Sequence, residues 1–184
     1  MEIEETNLKG FYIITPKVFS DGRGFLIEAY SKEKLKAGGI DVDFPYSIES
    51  ESKKNVIRGL HFQWDPPVGK YIRVIKGKVF FAAVDIRKKS ATFGKWASTE
   101  LSGENKKAVY IEPGFAAGFC ALEDGSHVQY HYTAPHNPNG ESNILWSDQD
   151  IAISWPVGEP ILSDRDKSAQ TFANWLLRPE SDKF

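Results

Sequence analysis

The segment Arg58-Gly59-Leu60-His61-Phe62-Gln63 places an arginine and a histidine inside an otherwise apolar, strand-like run. A histidine on a buried sheet face is more often a satisfied core residue than a catalyst. His61 has company, however. Lys70 lies in Gly69-Lys70-Tyr71-Ile72-Arg73-Val74, Tyr130 in Val128-Gln129-Tyr130-His131-Tyr132-Thr133, and Asp166 closes Leu162-Ser163-Asp164-Arg165-Asp166. A base, a cation, a phenol and a carboxylate on four segments are the groups needed to move a proton next to a carbonyl. Two of them also have plainer readings, Lys70 as a solvated strand lysine and Asp166 as the cap of a short helix.

Strands must bring these residues together. Alternation along 127–133 puts Val128, Tyr130 and Tyr132 on one face and His127, Gln129 and His131 on the other. Val128 marks the apolar face, so Tyr130 is expected to point inward. Arg58 and His61 are an odd number of residues apart, and a regular strand would send them to opposite faces. A bulge or kink at Gly59 would re-aim one of them, a common device beside active sites. Runs rich in Val, Ile, Phe and Tyr recur at 11–15, 25–30, 56–63, 71–75, 79–86, 107–111, 115–122 and 127–133. With turn signals between them, they predict a mostly β sandwich or barrel. The sharpest expected hairpin joins residues 72–75 to 79–82 through Lys76-Gly77-Lys78. Helix is expected only over 31–36 and around 169–176.

At 184 residues with no Pro/Gly/Ser-rich linker, the chain reads as one domain over 1–184. The net charge is −2, with acidic and basic residues interspersed, so neither nucleic acid nor an anionic membrane is an expected partner. A phosphate-bearing ligand would have to be held by a few placed arginines and lysines. The lone Cys120 reads as a small buried apolar residue, and one cysteine makes no internal disulfide, which points to the cytoplasm. The acidic start Met1-Glu2-Ile3-Glu4-Glu5 and the lack of any apolar run near ~18 residues argue against secretion or membrane insertion. Among the aromatics, Trp155 before Pro156 is expected to be structural. Trp64, beside Asp65-Pro66-Pro67, suits either the core or the rim of a pocket.

In order and spacing the chain resembles the dTDP-4-dehydrorhamnose 3,5-epimerase family of RmlC-like cupins. The likeness begins with Val18-Phe19-Ser20-Asp21-Gly22-Arg23-Gly24-Phe25 and Glu28, and continues through the His61 and Lys70 segments. It then includes Val84-Asp85-Ile86-Arg87, Ser90-Ala91-Thr92-Phe93-Gly94, Ile111-Glu112-Pro113-Gly114-Phe115-Ala116, Tyr130, Glu141, Trp155-Pro156 and Leu162-Ser163. Each piece alone is weak evidence and the ordered set is strong. The resemblance implies a jelly-roll β-barrel with short peripheral helices, and a nucleotide-linked 4-keto-6-deoxyhexose as substrate. In that setting His61 is the base, Asp166 orients it, Tyr130 is the acid on the opposite face and Lys70 holds the C4 oxyanion. Arg58, Glu141 and Arg165 match positions at the diphosphate and sugar end. Phe19, Arg23 and Glu28 match positions that reach into a neighbouring subunit's site, which implies a homodimer. Neither metal nor cofactor is expected: metal-binding cupins usually carry two histidines one residue apart with a downstream carboxylate, a pattern missing around His61.

Three segments depart from the family pattern. Ala117, in Gly114-Phe115-Ala116-Ala117-Gly118-Phe119, stands where the family usually has histidine. Tyr46-Ser47-Ile48 replaces Gln-x-Asn, and Pro135-His136 replaces an aromatic pair. These changes suggest a substrate other than the usual one, CDP-linked among the options, or inversion of one centre, C3, instead of two. The competing readings are a cupin 3,4-ketoisomerase on the same substrate class and a sugar-nucleotide-binding cupin without turnover. Binding alone needs no proton relay, which argues against the second.

Overall fold

The apolar runs fold, in a computed structural model covering residues 1–184, into two antiparallel sheets that face each other and close into a jelly-roll barrel. One sheet has the order β1 (Glu2–Glu5), β2 (Phe11–Thr15), β10 (Ala108–Ile111), β7 (Lys70–Lys76), β12 (Ser126–Tyr132), β5 (Tyr46–Ser52). The other runs β13 (Glu141–Asn143), β6 (Ile57–Gln63), β11 (Phe115–Ala121), β8 (Lys78–Asp85), β9 (Trp96–Ser102). A separate two-stranded hairpin, β3 (Val18–Asp21) with β4 (Gly24–Ile27), stands apart from both.

Alternation sorts each strand's side chains between the barrel interior and an outer layer. Ile72 and Val74 of β7, Phe81 and Ala83 of β8, Phe115 and Phe119 of β11 and Val128 of β12 belong to the buried cluster between the sheets. Burying a side chain of this size contributes roughly 1.5–3 kcal/mol, so this layer dominates the barrel's stability. The opposite faces are covered in turn. Leu60, Phe62, Val84 and Ala116 pack beneath Phe172 and Trp175 of α3 (Phe172–Leu176). Tyr71, Tyr110 and Ile14 pack beneath Leu35 of α1 (Lys32–Ala37). Ser31 caps α1, its Oγ accepting from the Lys34 N–H. Cys120 is fully buried, Trp155 donates its indole N–H to the Trp146 carbonyl at 2.8 Å, and Trp64 packs against the outer layer. No helix is long and apolar enough to cross a membrane.

Two expectations fail: a further short helix forms over Asp164–Lys167, capped by Ser163, and the hairpin is missing. Residues 72–75 and 79–82 do not form a hairpin: β7 pairs with β10 and β12, whereas β8 pairs with β11 and β9. Gly77 does turn the chain sharply, at φ 74°. It turns it from one sheet to the other, with the Ser126 hydroxyl accepting from the Lys78 N–H at 3.2 Å and donating to its carbonyl at 3.0 Å. The reason lies in the flanks. Ile72 and Val74 on one side and Val79 and Phe81 on the other are all core residues, and facing each other across the barrel buries more of them than lying side by side would.

The expected irregularity at Gly59 is present. Ala117 lies opposite His61 and Phe119 opposite Arg58, so the two residues Gly59 and Leu60 of β6 face the single Gly118 of β11. The extra residue restores parity and lets Arg58 and His61 share the interior side, while Leu60 and Phe62 go to the outer layer. Gly59 has φ 130°, and a Cβ there would lie 2.5 Å from the Gly118 Cα. Gly59→Ala is therefore expected to destabilise the fold by about 2–3 kcal/mol, read as a lower urea midpoint. An unchanged midpoint would remove the close approach from the account.

Candidate active site

Inward side chains of six strands, the sixth contributing Phe81 of β8, meet between the sheets. A cavity of ≈ 170 Å³ there is lined by Arg58 and His61 of β6, Lys70 of β7, Ala117 and Phe119 of β11, Tyr130 and Tyr132 of β12, and Ile48 and Ser50 of β5. A second cavity of ≈ 210 Å³ shares Ile48, His61, Lys70 and Tyr132 with the first and adds Tyr46, Gln63, His136, Glu141 and Arg165.

His61 is the hinge between the two. Its Nε2 lies 2.6 Å from Asp166 Oδ1. An ionised carboxylate only accepts, so Nε2 carries the proton and the lone pair is left on Nδ1. Asp166 is 2% exposed and sits in α2 (Asp164–Lys167), whose cap is Ser163. The capping reading of Asp166 fails, because Ser163 caps α2 and Thr171 caps α3, with Asp166 inside α2: its N–H donates to Ser163 Oγ at 3.1 Å, and the Ser163 hydroxyl donates to Oδ2 at 2.8 Å. Burial alone would raise the Asp166 carboxyl, but hydrogen bonds from His61 and Ser163 and the Gly59 amide outweigh it and hold it below the usual carboxylate range. A permanently ionised partner of this kind orients the imidazole and stabilises its protonated form.

Lys70 is buried, contrary to the solvated-lysine alternative. Its Nζ donates to the His61 carbonyl at 2.9 Å and lies 5.5 Å from the centre of the Tyr132 ring. Burial pushes the ammonium down to about 8, with Glu141 pulling it up and Arg165 pushing it further down. A charge in so dry a place stabilises a developing oxyanion far better than one in water. Turnover is accordingly expected to fall as the pH rises through about 8 and Lys70 loses its proton. A pH profile of kcat that stays flat to pH 10 would contradict this.

Tyr130 points inward as alternation predicts, packs on the core cluster and has its hydroxyl 3.5 Å from Ser50 Oγ. Burial pushes the phenol up to about 12, against smaller opposing effects of Ser50 and Arg58. It is a proton carrier at neutral pH. Arg58 donates through Nε to Ser52 Oγ at 3.0 Å and through Nη2 to the Glu51 carbonyl at 3.1 Å. In the second cavity Arg165 Nη1 meets Glu141 Oε1 at 2.7 Å. Burial would raise Glu141, but Arg165 and His136 hold it below its ordinary range.

Phe19, Arg23 and Glu28 line neither cavity. Phe19 is 54% exposed on the β3–β4 hairpin, together with Phe25 and Leu26. Arg23 pairs with Asp21 at 2.7 Å at the hairpin's tip, and Glu28 with Lys34 at 2.7 Å. Ser50, Tyr132 and Gln63 line the cavities without having been singled out; for Tyr132 the shared face with Tyr130 was the available signal. Four of the departing positions, Ala117, Tyr46, Ile48 and His136, are on cavity walls, whereas Ser47 turns away and donates to the Tyr130 carbonyl at 3.0 Å. No three His, Cys, Asp or Glu side chains gather in a metal-ligating group.

A jelly-roll barrel whose mouth holds a carboxylate-bound histidine, a buried lysine and an inward tyrosine is, in class, a cupin-type enzyme equipped for proton transfer beside a carbonyl. The comparisons make the assignment specific. The family model described as dTDP-4-dehydrorhamnose 3,5-epimerase matches residues 5–174. The dTDP-4-dehydrorhamnose 3,5-epimerase of Shigella flexneri is 44% identical over 176 residues, 95% of this chain and 97% of its own length. The Legionella pneumophila dTDP-6-deoxy-D-glucose-3,5-epimerase, solved with dTDP-4-keto-L-rhamnose, superposes with a TM-score of 0.93 at 38% identity, covering 98% of this chain and 96% of its own. ChmJ, a 3'-monoepimerase from Streptomyces bikiniensis solved with dTDP-quinovose, superposes at 0.86 with 31% identity, over 91% and 86% of the two chains. The chain belongs to the dTDP-4-dehydrorhamnose 3,5-epimerase family, and it is an epimerase of deoxysugar biosynthesis.

Proposed function

We propose that residues 1–184 act as one domain that epimerises a dTDP-linked 4-keto-6-deoxyhexose at C3 and C5. The observation that carries this reading is the Asp166-bound His61 sharing one cavity with the inward Tyr130 and the buried Lys70. The hydrogens on C3 and C5 are both α to the C4 carbonyl. His61 takes one of them, the bond's electron pair moves onto the C4 oxygen, and the Lys70 ammonium holds the resulting enolate. Tyr130 then delivers its proton to the other face of the same carbon and inverts it. His61 then releases its extra proton to solvent and the Tyr130 phenolate takes one up, which resets both groups.

Arg58 and Arg165 are suited to the diphosphate, since a guanidinium fork bonds two oxygens at once. The dTDP named for the Legionella and Streptomyces complexes favours thymidine over cytidine. The exposed Phe19, Phe25 and Leu26 on a free-standing hairpin support a homodimer in which Phe19, Arg23 and Glu28 complete the partner's nucleotide site. We place the enzyme in the cytoplasm, supplying deoxysugars for O-antigen, another surface polysaccharide or a glycosylated metabolite.

A second reading, inversion at C3 alone, is favoured by Ala117. It lies directly opposite His61 and leaves a methyl group where a polar side chain would otherwise help fix a second sugar pose. Product analysis of dTDP- and CDP-linked 4-keto-6-deoxyglucose decides among these. Faster turnover of the dTDP compound to a product inverted at both centres, with its carbonyl still at C4, is expected. A product inverted only at C3 selects the second reading, preference for CDP overturns the nucleotide, and a carbonyl moved to C3 makes the protein a ketoisomerase.

A further inference from the structure

The second cavity contains a side chain with no role in that scheme, His136. Its backbone is held unusually firmly. Gln63, 4% exposed, donates through Nε2 to the Pro135 carbonyl at 3.1 Å and the Pro66 carbonyl at 3.0 Å, and its Oε1 accepts from the Asn137 N–H at 2.9 Å. Two of those bonds bracket His136. Asn137 adds a bond from Nδ2 to the Asp65 carbonyl at 2.8 Å. The imidazole stacks on Tyr46, 6.3 Å between ring centres at 20°, and its Nε2 lies 3.3 Å from Glu141 Oε2.

The charges around it define what it is for. Glu141 and Arg165 cancel as a pair at 2.7 Å. Lys70 is turned toward the His61 carbonyl, His61 is bound to Asp166, and Asp65 lies 3.7 Å from Lys183. Tyr46 and Tyr132 are the remaining ionisable groups on the cavity wall. A sugar diphosphate brings two negative charges into this space, next to the Glu141 carboxylate. With Glu141 and Arg165 cancelling, the second cavity sets only Lys70 against the two charges of the diphosphate, and an imidazole that gains a proton supplies the second positive charge.

We propose that His136 is a specificity-determining residue that takes a proton from solvent as the diphosphate enters, and then donates a charge-assisted hydrogen bond to a phosphate oxygen. The inference rests on the nucleotide-sugar reading above and extends it to one of the positions that depart from the family pattern. dTDP-glucose is the probe, because its diphosphate is a diester without a group that titrates near neutrality. Isothermal calorimetry at pH 7.5 in two buffers of different ionisation enthalpy then reports proton uptake. Wild type should take up a fraction of a proton per site. His136→Phe, which keeps the ring on Tyr46, and His136→Gln, which keeps a donor, should both lose the uptake and bind roughly tenfold more weakly, the scale of one charge-assisted bond. His61→Asn should keep the uptake. Uptake that persists without His136, wild-type affinity in both variants, or wild-type binding with no uptake each overturns the inference alone. Failure of wild type to bind dTDP-glucose overturns the nucleotide reading and this inference with it.

Discussion

His61→Ala is expected to slow solvent exchange at C3 and C5 of the 4-keto sugar by at least ~10², the scale of a lost general base. The residue is the one histidine whose ring faces the cavity while bound to a buried carboxylate. Asp166, held ionised, makes Nδ1 the lone-pair atom and offsets the positive charge that forms on the ring. Removing the imidazole also strips a partner from a buried carboxylate, so part of any loss in the alanine variant could reflect a disturbed fold. His61→Asn controls for that by leaving an N–H near Asp166 without a base, and it should be equally slow in exchange. Binding of dTDP-glucose should change little in either variant. Near-wild-type exchange in the asparagine variant would remove the assignment.

Tyr130→Phe is expected to separate the two halves of the reaction. The ring stays packed on the core, and only the hydroxyl 3.5 Å from Ser50 is lost. Abstraction by His61 continues, the imidazolium trades its proton with solvent, and a solvent-derived proton returns from His61 to the same face. Exchange without inversion results, with inverted product formed at least ~10² more slowly. NMR of the recovered sugar measures both rates in one sample. Inverted product at the wild-type rate would mean that another group, with Tyr132 the nearest phenol on the same face, completes the reaction.

The parts of this site that lie in strongly patterned strands were legible from residues alone. Alternation in β12 turns Tyr130 inward because Val128 beside it is apolar, and the parity conflict between Arg58 and His61 by itself requires an irregularity, for which Gly59 is the apt residue. What stayed hidden was β5. Its sequence Tyr46-Ser47-Ile48-Glu49-Ser50-Glu51-Ser52 has only Tyr46 and Ile48 as large side chains on its inward face, because that face lines the two cavities instead of the core. β1 and β9 are masked in the same way by Glu, Ser and Thr on sheet edges, where one side of the strand meets water. Turn chemistry misled at Gly77, since a positive-φ glycine marks a sharp turn without saying whether the strands it joins pair or cross to opposite sheets. The burial of Lys70 was not a property of its own segment at all. It comes from Tyr132 and the His61 carbonyl, which lie on two other strands.

The central claim is that inversion proceeds by proton removal on one face and proton delivery on the other, at carbons flanking a carbonyl that never moves. Its most direct test is conversion of dTDP-4-keto-6-deoxyglucose by the wild-type enzyme in D₂O, with NMR reading configuration and deuterium at C3 and C5 together. The account predicts that every inverted carbon carries a solvent deuteron while the carbonyl remains at C4. Inverted product that keeps its original hydrogen at the inverted carbon would contradict it.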